Sequence, residues 1–275
     1  MEKVAAERPD DVGKPFLKWA GGKRQLLGDI WPHLPARYGR YFEPFIGGGA
    51  LFFALGPPRA VLTDVNERLI RAYKGVRDDV DTVIELLRGY PHDATFFYRF
   101  RDVDIDKKTD AQVAAWFVYL NKTGFNGLYR VNRDNKFNVP FGRYANPKIC
   151  DERALRSCSA ALKKAELLMC DFAAAVAQAK RGDFVYFDPP YVPLSATSSF
   201  TSYTKGGFGA EDQERLRDVA CKLKKRGVHV LLSNSSAPFV RDLYKGKFDL
   251  VEVSATRSVN SKATARGAIT ELLLK

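Results

Sequence analysis

The sequence predicts an α/β protein built on an open, mostly parallel sheet with helices on both faces. Seven short runs rich in β-branched and aromatic residues are typical of buried parallel strands, and most of them are followed by a helical pattern. Helical patterns over residues 213–225 and 237–244 give the clearest alternation. This alternation indicates a doubly wound fold, in which ligands bind at the carboxyl ends of the strands. The predicted strands cover residues 41–45, 60–65, 166–170, 183–187, 228–233, 248–253 and 269–274.

The pattern changes between about residues 75 and 157, where no run typical of a parallel strand occurs. We therefore predict that residues 75–157 form an inserted, mainly helical subdomain. Residues 1–74 and 158–275 are predicted to form together the domain that carries the sheet.

Within the insert, residues 109–112 resemble a capping box and predict a helix N-terminus. Apolar side chains then recur at helical spacing and predict an amphipathic helix with one buried face. The predicted face consists of Val113, Trp116, Phe117 and Leu120. Further on, residues 128–132 and 137–139 flank a polar turn at Asp134 and Asn135, which predicts a β-hairpin.

Composition limits the classes of function. The chain of 275 residues has 44 Lys and Arg against 32 Asp and Glu, a formal net charge of +12. This favours a polyanionic partner, because bound lysine and arginine release its counterions. The four cysteines form no C-x-x-C pair and the three histidines no ligand-spaced set, so we predict no metal site.

No apolar segment is long enough to span a bilayer or to act as a secretory signal. We predict a cytoplasmic protein that has no membrane partner and no obligatory protein partner. One stretch of low complexity, residues 195–209, is rich in Ser, Thr and Gly, and we predict that it is mobile.

The sharpest functional signal is Asp188-Pro189-Pro190-Tyr191, at the end of the predicted strand 183–187. The exocyclic amino group of adenine is a poor nucleophile because its lone pair is delocalised into the ring. The Asp188 carboxylate and the Pro189 carbonyl could accept its two hydrogens, on a segment whose prolines have no competing donors. Tyr191 offers a flat face on which a flipped-out base could stack. We predict that these four residues are catalytic, the alternative being a Pro-Pro loop with an incidental aspartate.

A glycine-rich loop, FIGGG at residues 45–49, overlaps the end of the first predicted strand, and Asp64 lies near the end of the next. Glycines let a backbone approach a ligand closely, and an acid at the second strand end can bind both hydroxyls of a ribose. The dinucleotide fingerprint G-x-G-x-x-G is not matched, because Phe52 stands where its third glycine would be. The loop therefore favours a nicotinamide-dependent enzyme less than other nucleotide-binding enzymes.

A third motif, KWAGGK at residues 18–23, opens a helical stretch. Free backbone donors at a helix start, together with Lys23, would suit a ligand carboxylate. The phosphate-loop signature G-x-x-x-x-G-K-[ST] is not matched at either end. Leu17 stands in place of its first glycine, and Arg24 stands in place of its Ser or Thr.

These three motifs, with LNKTGFNGLYRVN and KFNVPFGRY between them, resemble the Dam-type adenine DNA methyltransferases of the α class. The resemblance extends from about Pro15 to Leu274. It implies a Rossmann-like methyltransferase sheet, S-adenosylmethionine as cofactor and an insert that recognises the target. The implied reaction is methyl transfer to the exocyclic amino nitrogen of adenine in double-stranded DNA, at GATC, by base flipping and direct in-line transfer.

The resemblance also assigns roles to single residues. The residues that would bind S-adenosylmethionine are Trp19, Lys23, Phe45, Gly47, Gly49, Asp64, Asp171, Phe172 and Asp188. Those that would contact DNA are Lys18, Lys122, Phe125, Asn126, Leu128, Arg130, Asn138, Pro140, Arg143 and Tyr144. Arg130 would pair with a guanine edge, Leu128 and Pro140 would contact thymine, and Lys18 and Tyr144 would read the outer base pair.

Basic and aromatic residues are interleaved in this part of the insert, and Asp134 is the only acid between Asn121 and Cys150. This pattern is typical of a nucleic-acid surface. In the resembling family, Phe125 and Asn126 would fill or brace the gap left by the flipped base. For any one of these residues, a phosphate contact is the alternative to a base contact.

Three other functions stay open on the sequence alone: amino methylation of cytosine, DNA binding without turnover, and nicotinamide-dependent oxidoreduction. The aspartate of DPPY favours adenine, since many cytosine amino enzymes are similar but carry serine there. Intact Asp188 and Tyr191 argue against a regulator without turnover. None of the cysteines follows a proline, so the Pro-Cys nucleophile of cytosine ring-carbon methyltransferases is absent from the sequence.

Overall fold

A computed structural model of the protein describes residues 2–3, 13–192, 207–256 and 268–275. A short antiparallel pair joins β1 (Glu2–Lys3) to β2 (Arg37–Tyr38). The strands of the main sheet are β3 (Tyr41–Glu43), β4 (Ala60–Asp64), β5 (Ala165–Met169), β6 (Phe184–Phe187), β7 (His229–Ser235), β8 (Leu250–Thr256) and β9 (Ala268–Leu274). They form a seven-stranded sheet in the order β5-β4-β3-β6-β7-β9-β8. All seven predicted strands are confirmed, with boundaries shifted by a few residues.

The direction of the last strand corrects one prediction. β9 pairs antiparallel with β7 on one side and with β8 on the other, whereas the other paired neighbours in the sheet are parallel. The interpretation of residues 269–274 as a parallel strand is therefore wrong. A buried apolar run has the same composition in either direction, so only the pairing with its neighbours determines its direction.

The helices lie on both faces of this sheet. They are α1 (Leu27–Ile30), α2 (Ala50–Leu55), α3 (Glu67–Asp78), α4 (Val80–Gly89), α5 (Ala94–Arg101), α6 (Asp110–Thr123), α7 (Glu152–Leu162), α8 (Phe172–Ala175), α9 (Ala210–Lys225) and α10 (Pro238–Tyr244). One hydrophobic core contains side chains of α2 to α7, and a second contains side chains of α8 to α10. The doubly wound α/β class is confirmed, and so are the helices predicted over residues 213–225 and 237–244.

Polar side chains determine where many of these helices begin. A side-chain oxygen at the N-cap accepts a backbone N–H of the first turn, which satisfies a donor that has no partner within the helix. The residues that do this are Asn66, Asp79, Asp93, Thr109, Asp151 and Asp171. At α6 the predicted capping box is confirmed, because Thr109 accepts from the Gln112 backbone while the Gln112 side chain accepts from the Thr109 backbone.

Helix α6 differs from the prediction in its burial. Nearly every residue from Ala111 to Thr123 is buried, so the prediction of a single apolar face is wrong. The reason is its central position, with α3, α4 and α5 packed around it. At Gly75 the two helices α3 and α6 approach so closely that an added side chain would overlap the carbonyl oxygen of Asp110.

The chain turns back on itself as predicted, but it does so without forming two regular strands. We refer to residues 124–142 as the 124–142 hairpin. In the 124–142 hairpin, isolated bridges join Gly124 to Phe141 and Val131 to Phe137. The Asn138 N–H donates to the Arg130 carbonyl at 3.0 Å. The prediction of strands over residues 128–132 and 137–139 is therefore corrected to two bridges, since a lone hairpin without a third strand forms little regular ladder.

The two predicted divisions of the chain share a core. The cluster that includes sheet residues Leu62 and Phe184 also includes Trp116 and Val139 of the insert, and α3 crosses the predicted boundary at residue 74. The division itself stays a prediction. Most of the predicted mobile stretch, residues 195–206, lies outside the described residues.

The described residues contain no membrane-spanning helix and no cluster of metal ligands. None of the helices found there is both long and apolar enough to cross a bilayer. The same part of the chain contains no group of three or more His, Cys, Asp or Glu side chains placed to hold a metal ion.

Candidate active site

A cavity of about 800 Å³ opens at the carboxyl ends of β3, β4, β5 and β6. Its volume lies within the range of roughly 300–1,000 Å³ that is usual for small-molecule sites. The structure brings together here every residue predicted for the cofactor and for catalysis. These are Trp19, Lys23, Phe45, Gly47, Gly49, Asp64, Asp171, Phe172, Asp188, Pro189, Pro190 and Tyr191.

The glycine loop adjoins Trp19 of the amino-terminal motif. A Cβ atom on Gly47 would lie 2.7 Å from the indole ring, and one on Gly48 would lie 2.9 Å from the Trp19 Cβ. On the side of the insert, the indole stacks near Tyr129 and Phe117, with ring centroids 6.1 and 6.4 Å away. Glycine at position 47 is therefore required to admit a tryptophan of the same chain, a packing role that the sequence did not reveal.

Asp64 ends β4 at the edge of the cavity. Its carboxylate accepts the Asn66 N–H at 2.9 Å and the Gly47 N–H at 3.4 Å. Burial raises its pKa to about 6, and these hydrogen bonds oppose the rise. Next to it, Val65 is 52% exposed and Met169 is 55% exposed, although both line the cavity. Exposed apolar side chains inside a cavity suit an apolar ring, a feature that sequence reasoning missed because each residue alone is unremarkable.

An aromatic wall closes another side of the cavity. The rings of Phe45 and Phe172 stack with centroids 5.5 Å apart, and Phe208 contacts both. Asp171 caps α8 and forms an ion pair with Arg215, whose guanidinium lies 4.4 Å from the centroid of the Phe172 ring. The wall and the Asp64 carboxylate line the same cavity.

The DPPY residues follow β6 directly and contact the amino-terminal motif. The Lys23 ammonium is 2.8 Å from Asp188 and 3.9 Å from Glu271, and it is only 4% exposed. It also lies 4.5 Å from the centroid of the Tyr191 ring, whose hydroxyl donates to Glu271 at 2.7 Å. The structure thus pairs Lys23 with carboxylates of the protein itself. The sequence had suggested a carboxylate of a ligand.

Burial and neighbouring charges shift the pKa values of the carboxyls in this part of the cavity. Burial raises the pKa of Asp188 to about 6, Lys23 opposes the rise, and Glu271 adds to it. Burial also raises the pKa of Glu43 to about 8, with a hydrogen bond from Tyr41 opposing and the charge of Asp188 adding. Burial thus opposes ionisation of both carboxyls, and it does so more strongly for Glu43 than for Asp188.

Hydrogen bonds from neighbouring elements fix the backbone of the motif. The side chain of Gln213 on α9 donates to the Pro190 carbonyl at 2.9 Å. Asn234 on β7 donates to Gln213 in turn, at 2.9 Å. Both residues are buried, so this relay holds the DPPY segment against the sheet. Neither residue stands out in the sequence, because each is polar within an otherwise ordinary helix or strand.

Residues predicted to contact DNA lie on the insert and beside it. The Lys18 ammonium lies 4.6 Å from the centroid of the Tyr144 ring. The Arg130 guanidinium donates to the Asn138 side chain at 2.7 Å and to its carbonyl at 3.2 Å. The structure therefore brings these residues together in two pairs.

The first residues of the 124–142 hairpin present an aromatic ring to solvent. Phe125 is 47% exposed, and its N–H donates to the Pro140 carbonyl at 2.9 Å. Asn126, also exposed, has a left-handed backbone with φ 54°. Leu128 is half-buried and Arg143 is exposed.

Lys122 has a different environment. It lines a second cavity of about 160 Å³ beside Lys14, Arg24 and Asp151. Burial lowers its pKa, and the charge of Lys18 lowers it further, while Asp151 opposes. The structure thus separates this side chain from the exposed hairpin residues.

One buried residue that sequence reasoning missed joins the two segments that are predicted to contact DNA. The Asn121 amide donates to the carbonyls of Lys18 and Gly127 at 2.8 and 2.7 Å, and its oxygen accepts the Lys18 N–H at 2.8 Å. A Cβ on Gly127 would lie 2.6 Å from the Lys18 side chain. The signal in the sequence is an asparagine near the end of an apolar helix, three residues before the GFNG motif of residues 124–127.

The order of the strands, the glycine loop after β3, the acid at the end of β4 and DPPY after β6 define the class of a Rossmann-like methyltransferase. The family model described as D12 class N6 adenine-specific DNA methyltransferase matches residues 19–259. The chain belongs to this family. It is an S-adenosylmethionine-dependent DNA adenine methyltransferase, and DNA is its substrate.

Curated relatives agree with this assignment. The type II methyltransferase M1.LlaDCHI of Lactococcus lactis subsp. cremoris is 48% identical over 95% of this chain and 94% of its own. The type II methyltransferase M.MjaIII of Methanocaldococcus jannaschii is 44% identical over 95% and 98%. The DNA adenine methylase of Escherichia coli K12 is 38% identical over 94% of each chain. Family membership disfavours the cytosine, regulator and oxidoreductase alternatives.

Proposed function

We propose that the enzyme flips the adenine of a GATC site out of the duplex and methylates its amino nitrogen by direct in-line transfer. The observation that carries the proposal is one continuous cavity that joins the DPPY residues to the glycine loop and Asp64. A base and a cofactor could both occupy this space, with the reacting groups facing each other. Adenine inside a stacked duplex could not reach it.

The cavity suits S-adenosylmethionine by its chemistry. Asp64 would accept the ribose hydroxyls, Val65 and Met169 would cover the adenine ring, and the wall of Phe45 and Phe172 would exclude water. When bound, S-adenosylmethionine supplies an electrophilic methyl group.

The protein activates the target nitrogen through hydrogen-bond acceptors. The Asp188 carboxylate and the Pro189 carbonyl would each accept one amino hydrogen, which draws the lone pair out of the ring. Tyr191 would stack on the base. After transfer the nitrogen carries a positive charge, so its proton leaves to Asp188 or to water. No covalent bond between enzyme and base is needed.

Recognition of GATC would come from the insert and the amino-terminal motif. Arg130, held in a fork by Asn138, would donate to a guanine edge. Lys18 and Tyr144 would read the outer base pair, and the exposed Phe125 at the start of the hairpin would brace the duplex next to the flipped base. In this proposal residues 75–157 form the target-recognition subdomain, and residues 1–74 and 158–275 form the catalytic domain.

The test uses tritiated S-adenosylmethionine and two duplexes that differ only in one GATC site. We expect label in N6-methyladenine for the GATC duplex and protection of that site from a nuclease that cuts only its unmethylated form. Label in adenine of both duplexes would keep the chemistry and reject the target sequence. The Asp188→Ala variant is the matched control, and label in cytosine would reject the proposed base.

A further inference from the structure

The sheet contributes a carboxylate to the adenine side of the cavity that the sequence analysis did not identify. Glu271 lies on the antiparallel strand β9, paired with Ser235 on β7 and Val253 on β8. It lines the cavity and is 8% exposed. Burying an acid in a strand is costly unless partners compensate its charge, so its contacts indicate why it is there.

A single oxygen of Glu271 contacts two partners. Oε2 accepts the hydrogen bond of the Tyr191 hydroxyl at 2.7 Å and lies 3.9 Å from the Lys23 Nζ. The same Nζ lies 2.8 Å from Asp188 and 4.5 Å from the centroid of the Tyr191 ring. Glu271 therefore contacts both the residue proposed to stack on the base and the cation that pairs with the proposed acceptor.

We propose that Glu271 is a positioning residue of the adenine site, which fixes the Tyr191 ring for stacking and shares Lys23 with Asp188. This inference rests on the proposed function of Asp188 as the acceptor for the amino group. Tyr191 is then held at its hydroxyl by Glu271 and at its ring by Lys23. A ring held at two points loses less freedom when a base stacks on it.

Sharing Lys23 matters because a cation next to a carboxylate weakens that carboxylate as an acceptor. Burial is the main reason that the pKa of Asp188 rises to about 6, while Lys23 lowers it and Glu271 raises it. Glu271 thus offsets part of the effect of Lys23. Among the described residues, the charged and titratable groups that face Asp188 are Lys23, Glu43, Tyr186, Tyr191 and Glu271.

Two substitutions separate the hydrogen bond from the charge. Glu271→Gln keeps an oxygen that can accept from Tyr191 but removes the negative charge, whereas Glu271→Ala removes both. The matched control is Glu252→Gln, which removes a carboxylate from the neighbouring strand β8. Glu252 is exposed and pairs with Arg241 outside the cavity.

For Glu271→Gln we expect kcat to fall about tenfold, with KM values for DNA and S-adenosylmethionine within about twofold of wild type. The acid limb of its kcat profile moves to lower pH, because Asp188 loses a neighbouring negative charge. Glu271→Ala additionally raises KM for DNA, since Tyr191 is no longer held. Glu252→Gln matches wild type in every measurement.

A wild-type kcat and an unmoved acid limb in Glu271→Gln would overturn the inference. It would also be overturned if the loss of activity were fully accounted for by a lower melting temperature. Should Glu271→Gln not fold, Glu271→Asp decides, because its side chain is one methylene shorter and withdraws the carboxylate from the Tyr191 hydroxyl and Lys23. A lower kcat with a higher KM for DNA then supports the inference, and wild-type values of both reject it. Label transfer to adenine by the wild type is measured first: its absence rejects the proposed function, whereas its presence with an unaffected Glu271→Gln rejects only the role of Glu271.

Discussion

The guanidinium of Arg68 donates a hydrogen bond of 2.6 Å to the backbone carbonyl of Asn135. Arg68 belongs to α3, the helix that follows the acidic end of β4, while Asn135 lies in the turn of the 124–142 hairpin. Two further bonds of 2.6 Å join Arg68 to the carboxylate of Asp106. One fork of hydrogen bonds thus connects the Asp64 side of the cavity to the hairpin that carries Arg130.

Replacing Arg68 by alanine should loosen this hairpin. We expect the ratio of kcat/KM between GATC and a site with one altered base pair to fall about tenfold, because Arg130 is then held less firmly. Binding of S-adenosylmethionine should change little. The control is Arg77→Ala on the same helix, whose side chain pairs with Asp78 away from the hairpin. Equal loss of discrimination in both variants would contradict this role.

Arg130→Ala should relax specificity at one base pair by about 1–3 kcal/mol, the usual contribution of a bidentate contact to a base edge. Competition between duplexes with single substitutions in GATC identifies the pair. Arg133 lies in the turn of the same hairpin and is exposed, so Arg133→Ala should weaken binding to all duplexes alike. A uniform loss in Arg130→Ala would show that Arg130 contacts phosphate instead.

Asp188→Ala should lower kcat by about 10³-fold, because the amino group loses its charged acceptor. Asp188→Asn keeps the shape and should remain well below wild type, since an amide oxygen is a weaker acceptor. Equilibrium binding of S-adenosylmethionine should stay within a few-fold of wild type in both. Normal turnover in Asp188→Ala would refute the mechanism.

The activity should depend on pH through Asp188. Because burial raises its pKa to about 6, the carboxylate is lost below about pH 6, and kcat/KM should fall there. Lys23 opposes this rise, so Lys23→Met should move the acid limb to higher pH. Rates measured from pH 5 to 9 in buffers of constant ionic strength test both statements, and an acid limb near pH 4 in the wild type would contradict them.

The stability should depend on pH through Glu43. Burial raises its pKa to about 8 from the ordinary glutamate value of 4.5, so between these values the folded state binds the extra proton. The free energy of unfolding therefore falls as pH rises through this window. Glu43→Gln cannot ionise, and from pH 5 to 8 it should gain more than about 1 kcal/mol relative to wild type.

Urea unfolding at several pH values measures this difference. Glu85→Gln is the control, because Glu85 is exposed on α4. A constant difference between Glu43→Gln and wild type across the window would refute the proposed protonation of Glu43.

Local patterns in the sequence predicted the class of fold and allowed a chemistry to be proposed for each motif. Buried strands and helix starts depend on nearby residues, on apolar runs and on caps such as Thr109. DPPY, the glycine loop and KWAGGK are each contiguous, so each can be recognised as a motif without knowledge of its tertiary contacts. That the carboxyl ends of parallel strands meet at one edge explains why these motifs share one cavity.

Contacts between side chains of distant segments, by contrast, become visible only in the tertiary structure. The direction of β9 places Glu271 beside Lys23 and Tyr191, and the fold of the insert brings Asn135 to Arg68. Likewise α6 is buried on all sides because other helices surround it. Local composition predicts that a residue is buried or lies in a turn. It does not report which charges and rings will be its neighbours, because that depends on contacts between residues far apart in sequence.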